Sequence, residues 1–214
     1  MITFYGRATS DNTQKARWML EETRQPYKHV ELGGRFGGLD NPDFLKLNPN
    51  GRIPVLVDGK VIVAESDAII RYLAAEYCVG SFWPKEPKDR AEVDQWMSWG
   101  HANLYPTFNK LFWSVVRAPK AKQNPAAFEA LTSKLHSLFA ILELRLEDRT
   151  YVIGDSITMA DVTTGMTLFR YFEMPIQRPK LPAVEAWYAR LKERETYQKA
   201  IMVSFEELRG KLDF

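Results

Sequence analysis

Four small hydroxyl or amide side chains lie within five positions near the start of the chain: Thr9, Ser10, Asn12 and Thr13. They follow a short apolar run at residues 2–5 and precede a helical pattern. At a helix N-terminus such residues cap free backbone amides, and the same amides can bind an anion. A cap is the more common role, so these residues alone leave a cap and an anion site both open.

Two further motifs could bind a ligand. Pro54 stands immediately before a β-rich run, where an X-Pro bond can be cis and Ile53 keeps its backbone groups free. Glu65 and Ser66 begin a helical pattern, where exposed amides and the helix dipole favour a carboxylate. An ordinary trans proline and a simple helix cap are the alternatives.

The stretch SITMADV has the spacing of a capping box, with Thr158 three residues before Asp161. Each side chain can satisfy a free amide at the other position. We therefore predict a structural rather than a catalytic role for Asp161.

Short β-rich runs alternate with helical ones over residues 1–80. The strands are ITFY, YKHVEL, PVLV and VIVA, and the helices are residues 13–23, residues 42–47 and ESDAIIRYLAAEY. The pair Asp58-Gly59 between the last two strands indicates a hairpin. This order, βαβ, a linking helix and then ββα, predicts an α/β domain with a mixed four-stranded sheet, the arrangement of the thioredoxin-like fold.

Residues 81–88 are rich in proline and charge and indicate a linker. Residues 89–214 are predicted to form an all-helical domain. Its helical patterns cover 90–117, 125–146, 159–172, 182–192 and, more weakly, 196–208. Pro106 lies inside the first pattern, which should kink or restart there.

The bulk composition excludes several classes of function. The formal charge of +2 is too small for a nucleic-acid or anionic-membrane partner, and no apolar run is long enough for a membrane helix. Cys78 is the only cysteine, and the three histidines show no metal-ligand spacing, so we expect neither a disulfide nor a metal. We expect a cytoplasmic protein that acts on small molecules.

Four motifs in sequence resemble the glutathione S-transferase family over essentially the whole chain. They are TSDNTQKARWMLEE, LNPNGRIPVLVDG, ESDAIIRYL and GDSITMADV. The stretches GGRFGG and DQWMSW resemble a bacterial, theta-like or nu-like branch that uses a catalytic serine rather than a tyrosine.

The resemblance implies a role for each residue of the first motif. Ser10 matches the serine that stabilises the glutathione thiolate, and Asn12 the residue that supports it or contacts the ligand. Thr9 takes the place of Ser10 if the register shifts by one residue, and Tyr5 is the rival because other branches use a tyrosine there. Lys15 either adds positive potential or is an ordinary solvated lysine.

The resemblance also implies how glutathione binds. Pro54 is expected to be cis, and the backbone of Ile53 to pair with the cysteine of the tripeptide. Glu65 would pair with the ligand's ammonium group, and Ser66 with its α-carboxylate. Arg52 would meet the other end of the ligand, although an exposed arginine is often just solvated.

An apolar electrophile should lie over the thiolate, against the start of the helical domain. The candidate lining residues are Arg7, Phe36, Tyr105, Phe108, Phe112 and Phe172. An aromatic stripe at helical spacing is more often core than pocket. The last dozen residues, ending in Leu212-Asp213-Phe214, could close over the mouth, although a frayed terminus is the default.

The sequence thus predicts a glutathione transferase with a detoxification role that forms a homodimer. Glutathione is its co-substrate and a small apolar electrophile its second substrate. Hydroperoxide reduction, carbon-sulfur bond cleavage and non-catalytic ligand binding are the alternatives. A thioredoxin-like disulfide reductase is disfavoured because no cysteine lies at the start of the first helix.

Overall fold

A four-stranded sheet with helices packed on it forms the first part of the chain. The computed structural model describes residues 1–212. The elements of this part are β1 (Ile2–Tyr5), α1 (Asp11–Glu22), β2 (Tyr27–Val30), α2 (Pro42–Leu47), β3 (Val55–Asp58), β4 (Val61–Ala64) and α3 (Ser66–Tyr77), with a 3-10 turn at Gly34–Phe36. The strand order is β2-β1-β3-β4. β1 runs parallel to β2 and antiparallel to β3, and β3 runs antiparallel to β4, which confirms the predicted mixed sheet.

The hairpin turn lies one residue further along than predicted. Asp58 is the last residue of β3 and pairs with Val61, so the two turn residues are Gly59 and Lys60. Gly59 has φ 58°, and glycine reaches this left-handed conformation without a steric penalty. The glycine of the predicted Asp-Gly signal thus takes the first turn position.

The rest of the chain is helical. It contains α4 (Pro87–Trp99), α5 (Tyr105–Phe112), α6 (Pro125–Leu146), α7 (Met159–Gly165), α8 (Leu168–Glu173), α9 (Pro182–Lys192) and α10 (Glu195–Ala200), with 3-10 turns at Lys120–Lys122 and Glu206–Leu208. The predicted helix over 159–172 is divided between Gly165 and Leu168. The weak pattern over 196–208 resolves into α10 and the last 3-10 turn.

Pro106 is accommodated by a wider helical turn. The π-helical segment Gly100–Leu104 joins α4 to α5, and a second one, Trp113–Arg117, follows α5. Proline lacks the amide that a regular helix would use, and a wide turn re-routes the backbone bonds around it. Gly100 lets this segment approach α7, since an added Cβ would lie 3.0 Å from Cγ2 of Thr164.

The two parts of the chain share one hydrophobic core. The cluster runs from Phe4 and Trp18 in the first part to Phe108 and Trp187 in the second. Trp18 packs edge-on against Tyr197 of α10, with ring centroids 4.8 Å apart. Because α1 lies between the sheet and the helical part, its N-terminus sits where the two parts meet.

Asp161 is a structural residue, as predicted. The capping box with Thr158 is present, and Asp161 is fully buried. Its carboxylate also accepts hydrogen bonds from the amide of Val152 at 2.9 Å and from Nε1 of Trp187 at 3.1 Å. Burial raises the pKa of Asp161 to about 6, and these hydrogen bonds oppose the shift.

None of the helices within residues 1–212 is both long enough and apolar enough to cross a membrane.

Candidate functional site

The loop between β1 and α1 presents Ser10 at the start of α1. Ser10 has an extended backbone (φ −85°, ψ 124°), and its carbonyl accepts the first helical hydrogen bond, from the amide of Gln14 at 2.8 Å. Its amide donates to the carbonyl of Arg7 at 3.1 Å. Within residues 1–212, the Ser10 hydroxyl forms no capping hydrogen bond. Ser10 is therefore the N-cap by backbone geometry, with a hydroxyl that the cap does not use.

The neighbouring hydroxyl, that of Thr9, is held by the C-terminal segment. It donates to Oε1 of Glu207 at 2.7 Å, and the Thr9 carbonyl accepts from a guanidinium nitrogen of Arg170 at 2.8 Å. Thr9 is buried. The two rivals of the sequence prediction thus differ in whether their hydroxyl already has a partner.

Arg170, which the sequence did not single out, fixes this loop from the helical part. It contacts the Asp11 carboxylate in addition to the Thr9 carbonyl, and it lies 4.7 Å over the ring of Phe112. Burial and the nearby charge of Arg7 lower the pKa of Arg170, while the Asp11 carboxylate favours the cation. A buried cation therefore stands close behind the start of α1.

A polar cavity of about 370 Å³ brings six predicted residues together. It is lined by Asn12, Asn48, Asn50, Arg52, Ile53, Pro54, Glu65 and Ser66. These residues come from α1, from the segment before β3 and from the start of α3. We refer to this space as the polar cavity.

Asn12 and Ser66 meet across the polar cavity although they are 54 positions apart. The Ser66 hydroxyl donates to Oδ1 of Asn12 at 3.1 Å. Glu65, exposed beside them, has φ 66°, a left-handed conformation that is uncommon outside glycine. Such strain tends to be retained at ligand sites, and here it accompanies the free amides at the start of α3.

The segment before β3 forms the opposite wall. The Ile53–Pro54 bond is cis, as the resemblance implied, and the first sheet residue is Val55. The Asn48 side-chain amide donates to the Arg52 carbonyl at 2.7 Å and so braces this segment. The sequence reasoning missed Asn48 and Asn50, although asparagines beside proline and glycine in LNPNG are a recognisable turn signal.

Lys15 is not a solvated lysine. It is almost fully buried, and its ammonium group pairs with the carboxylate of Asp67 at 2.5 Å. The same carboxylate accepts from Nδ1 of His101 at 2.8 Å. Burial lowers the pKa of Lys15, and the charge of Asp67 opposes this shift. The Lys15 charge therefore lies against α3, where it pairs with Asp67, the residue that follows Ser66.

Two of the predicted aromatic pocket residues, Phe108 and Phe112, belong to the core, and a third, Phe172, is half-buried against it. Phe108 and Phe112 are fully buried and stacked, with ring centroids 6.2 Å apart. Phe172 stacks on Tyr188 at 4.7 Å. The apolar face of α5 that the sequence places over the thiolate packs inward, as aromatic stripes at helical spacing usually do.

Tyr105 lies close to the predicted site. Its ring is half-buried, and the ammonium group of Lys15 lies 5.7 Å from the ring centroid. Burial and the charge of Asp67 raise the pKa of Tyr105 to about 12, and a hydrogen bond with Asn12 opposes the shift. Its phenol is therefore neutral at physiological pH.

Two further cavities beside the β1–α1 loop, distinct from the polar cavity, are lined largely by charged residues. One cavity of about 370 Å³ is lined by Arg7, Gly34, Arg35, Arg117, Glu207, Leu208 and Lys211. An adjoining one of about 310 Å³ is lined by Ala8, Thr9, Glu31, Arg35, Phe36, Val203, Ser204 and Glu207. Residues between 203 and 211 contribute to the lining of both cavities, while Asp213 and Phe214 lie outside the described residues.

The chain is similar to known proteins over nearly its full length. Residues 4–79 match the family described as glutathione S-transferase, N-terminal domain, and residues 104–195 match the corresponding C-terminal domain family. The chain is 34% identical over 205 residues to glutathione S-transferase GstB of Escherichia coli K12, covering 95% of this chain and 99% of the relative.

A second relative and a solved structure extend the comparison. Disulfide-bond oxidoreductase YfcG of E. coli K12 is 28% identical over 209 residues, which cover 94% of this chain and 95% of the relative. The crystal structure of a theta-class glutathione S-transferase from Xanthomonas axonopodis pv. citri with glutathione bound superposes with a TM-score of 0.90. It is 42% identical in sequence and covers 95% of this chain and 98% of that chain.

Proposed function

Because the chain belongs to the glutathione S-transferase family, we propose that it is a glutathione transferase in which Ser10 stabilises the glutathione thiolate for attack on a small electrophile. The observation that carries this proposal is the contrast between two neighbouring hydroxyls. The Thr9 hydroxyl is bonded to Glu207, whereas the Ser10 hydroxyl, at the start of α1, is not used by the cap.

Ser10 acts together with its surroundings. A free thiol of this kind has a pKa of about 8.5, and lowering it by two units requires about 2.7 kcal/mol of preferential anion stabilisation. A hydroxyl donor, the amides of α1 and the N-terminal end of its dipole can supply this together. The buried guanidinium of Arg170 pairs with Asp11 and binds the Thr9 carbonyl, and it thereby fixes the loop that presents Ser10.

Different residues of the polar cavity bind different groups of the tripeptide. Glu65 pairs with the ligand's ammonium group, and Ser66 with the amides of α3 binds its α-carboxylate. The Ile53 backbone pairs with the cysteine residue, and Arg52 meets the remaining carboxylate. The Ser66 hydroxyl, which donates to Oδ1 of Asn12, exchanges that bond for one to the carboxylate when glutathione binds.

The electrophile reacts directly with the thiolate. The enzyme contributes an ionised nucleophile and proximity, and it forms no covalent intermediate of its own. The second substrate binds on the side of the loop that the chain end lines.

The test is a kinetic comparison of Ser10→Ala and Thr9→Ala, with 1-chloro-2,4-dinitrobenzene as electrophile. We expect Ser10→Ala to lower kcat/KM by about 10- to 100-fold, because it removes one hydrogen bond to a charged group, worth about 1.5–3 kcal/mol, and leaves the amides of α1 in place. Thr9→Ala should lower it by less than about fivefold, because its hydroxyl already serves Glu207. Far-UV circular dichroism controls for folding. Equal losses in both variants, or failure of the wild type to bind glutathione in calorimetry, would overturn the proposal.

The alternatives are tested on the same protein. A panel of cumene hydroperoxide, a glutathionyl thioether and a mixed glutathione disulfide separates transfer from peroxide reduction, carbon-sulfur cleavage and the disulfide chemistry named for YfcG. Rates for these three substrates below one hundredth of the conjugation rate would support transfer. Glutathione binding without turnover of any substrate would instead indicate a ligand-binding protein.

The same family assignment leads us to propose a cytoplasmic homodimer that joins through the exposed surfaces of α3 and α4. Size-exclusion chromatography with light scattering measures the mass directly, and twice 24.7 kDa is the expected result.

A further inference from the structure

Asp67 lies next to the position proposed for the α-carboxylate of glutathione. It follows Ser66, which lines the polar cavity, and it belongs to the first turn of α3. Two carboxylates at one helix start repel each other and compete for the same amides. Resting on the function proposed above, we propose that Lys15 and His101 hold the Asp67 carboxylate away from these amides, so that the carboxylate of glutathione can bind them. Lys15 is then a positioning residue that acts through Asp67.

The carboxylate of Asp67 is bound by elements other than its own helix. An aspartate in the first helical turn can turn to the free amides of that turn, and the helix dipole favours this. Here Oδ1 accepts from Nζ of Lys15 at 2.5 Å, and Oδ2 accepts from Nδ1 of His101 at 2.8 Å. Glu65, at the N-cap position of α3, forms no capping hydrogen bond with its side chain within residues 1–212. Neither acidic side chain therefore caps α3, which leaves its first amides to a ligand.

Lys15 is a buried cation close to the polar cavity. Its side chain is 2% exposed and comes from α1, the helix that also contributes Asn12 to the cavity. Burial lowers the pKa of Lys15, and the charges of Asp67 and, more weakly, Glu65 oppose the shift. Because Glu65 lines the polar cavity, the ammonium group lies within electrostatic range of it. A cation in such a low-dielectric position attracts a carboxylate more strongly than a solvated one does.

His101 binds the same carboxylate from the side of the helical part. It lies on the π-helical segment that joins α4 to α5, and its side chain is 64% exposed. Arg71, the next cation along α3, pairs instead with Asp94 at 2.9 Å. Exposed pairs contribute little, so the buried Lys15 contributes more of the attraction on Asp67 than His101 does.

Loss of the Lys15 charge should release the Asp67 carboxylate. The carboxylate can then bond to the amides of its own helix, and its charge repels an incoming carboxylate. Both effects weaken glutathione binding, and both disappear when Asp67 is made neutral. A direct attraction between Lys15 and the ligand predicts the opposite, since neutralising Asp67 would not restore what the loss of Lys15 removes.

The test is a double-mutant cycle on the binding of S-hexylglutathione, measured by calorimetry. We expect Lys15→Met to raise Kd by at least about tenfold, and Lys15→Met with Asp67→Asn to return it to within about threefold of the wild type. Neutral replacement of both partners of a buried ion pair is often tolerated, and circular dichroism checks the fold of each variant. Lys199→Met is the matched control, because Lys199 pairs with Glu21 at 2.7 Å at the other end of α1 and should leave Kd unchanged.

A ligand without the carboxylate locates the effect. In the S-hexyl derivative of 4-aminobutyryl-cysteinylglycine, hydrogen replaces the α-carboxylate of the glutamyl residue and the other groups are kept. Lys15→Met should weaken its binding by less than about twofold, because the released Asp67 has no carboxylate to repel or to compete with. Damage to the fold would weaken both ligands alike. At saturating glutathione, kcat of Lys15→Met should stay within about twofold of the wild type, since the thiol site is untouched.

His101→Ala tests the same idea without a change in the core. Its side chain is exposed, so the variant keeps the fold even if Lys15→Met does not. We expect Kd for S-hexylglutathione to rise by about two- to threefold, as for the loss of an exposed pair. In an Asp67→Asn background the same substitution should leave Kd unchanged. An equal rise in both backgrounds would count against the role of Asp67.

The outcomes separate this inference from the proposed function. An unchanged Kd in Lys15→Met, a double variant as weak as Lys15→Met, or an equal loss for both ligands overturns the role of Asp67 while leaving the glutathione site intact. Failure of the wild type to bind S-hexylglutathione overturns the proposed function and, with it, this inference.

Discussion

Two neighbouring residues of the β1–α1 loop have different roles. Thr9 ties the loop to the chain end through Glu207, and Ser10 offers its hydroxyl at the helix start. Ser10 and Asn12 could be singled out in the sequence because they match the family motif at the start of α1, and their roles remain proposals. Glu207 and Arg170 could not, since they reach the loop from 198 and 161 positions away.

Ser66→Ala should weaken glutathione binding rather than the chemical step. Its hydroxyl lines the polar cavity, and on binding it exchanges its bond to Asn12 for one to the ligand carboxylate. A hydrogen bond to a charged group contributes about 1.5–3 kcal/mol, so KM for glutathione should rise by about 10- to 100-fold with kcat within about twofold. Ser98→Ala, at an exposed position on α4, is the matched control. A fall in kcat with unchanged KM would move Ser66 from binding to catalysis.

Tyr105→Phe should leave the pH dependence of the reaction in place. The pKa of Tyr105 is raised to about 12, chiefly by burial, so the phenol stays protonated where the bound thiol ionises. The midpoint of the pH profile of kcat/KM should therefore move by less than about 0.3 pH unit. A shift of one unit or more would make Tyr105 a thiolate donor and count against Ser10.

The helices and strands position these residues. The limits of most of these elements could be predicted from the sequence. α2, α6 and α9 have the predicted limits because prolines mark their starts and apolar periodicity fills them. The hairpin turn was misplaced by one residue, and the π-helical segments around α5 were not anticipated. Both depend on packing, as at Gly100 against Thr164, rather than on local propensity.

Asp161→Ala should destabilise the protein through the α7 cap. The buried carboxylate accepts from Val152, Thr158 and Trp187, and its loss leaves these donors without a partner. The free energy of unfolding, measured with urea, should fall by about 3 kcal/mol or more. Asp155→Ala, on the exposed turn nearby, should change it by less than about 0.5 kcal/mol. A small loss in both would mean that α7 forms without its cap.

The whole molecule depends on contacts between its two parts that local sequence patterns do not reveal. Arg170 and Glu207 illustrate this, since both reach the β1–α1 loop from the helical part and bind Asp11 and Thr9 there. Phe108 and Phe112 of the predicted pocket pack inward because the shared core sets the direction in which α5 faces. The fold class could be predicted from the order of strands and helices. The shape of the cavity for the second substrate could not.

Glu22→Ala should weaken the junction of the two parts as a unit. Glu22, at the end of α1, accepts from Trp18 and, across the junction, from both Arg194 and Thr196. Its removal should lower the free energy of unfolding by about 2–3 kcal/mol while unfolding stays a single transition. Glu129→Ala, at an exposed position on α6, serves as the control. Separate transitions by tryptophan fluorescence and circular dichroism would show that the shared core does not couple the two parts.

The ionisation of bound glutathione tests the central claim most directly. Thiolate absorbance, followed as a function of pH in the binary complex, gives the thiol pKa for the wild type, Ser10→Ala and Thr9→Ala. We predict a pKa about two units below the free value of about 8.5 in the wild type and in Thr9→Ala, and a return towards the free value in Ser10→Ala. An unshifted pKa in the wild type, or a shift that survives Ser10→Ala and disappears in Thr9→Ala, would contradict the assignment of Ser10.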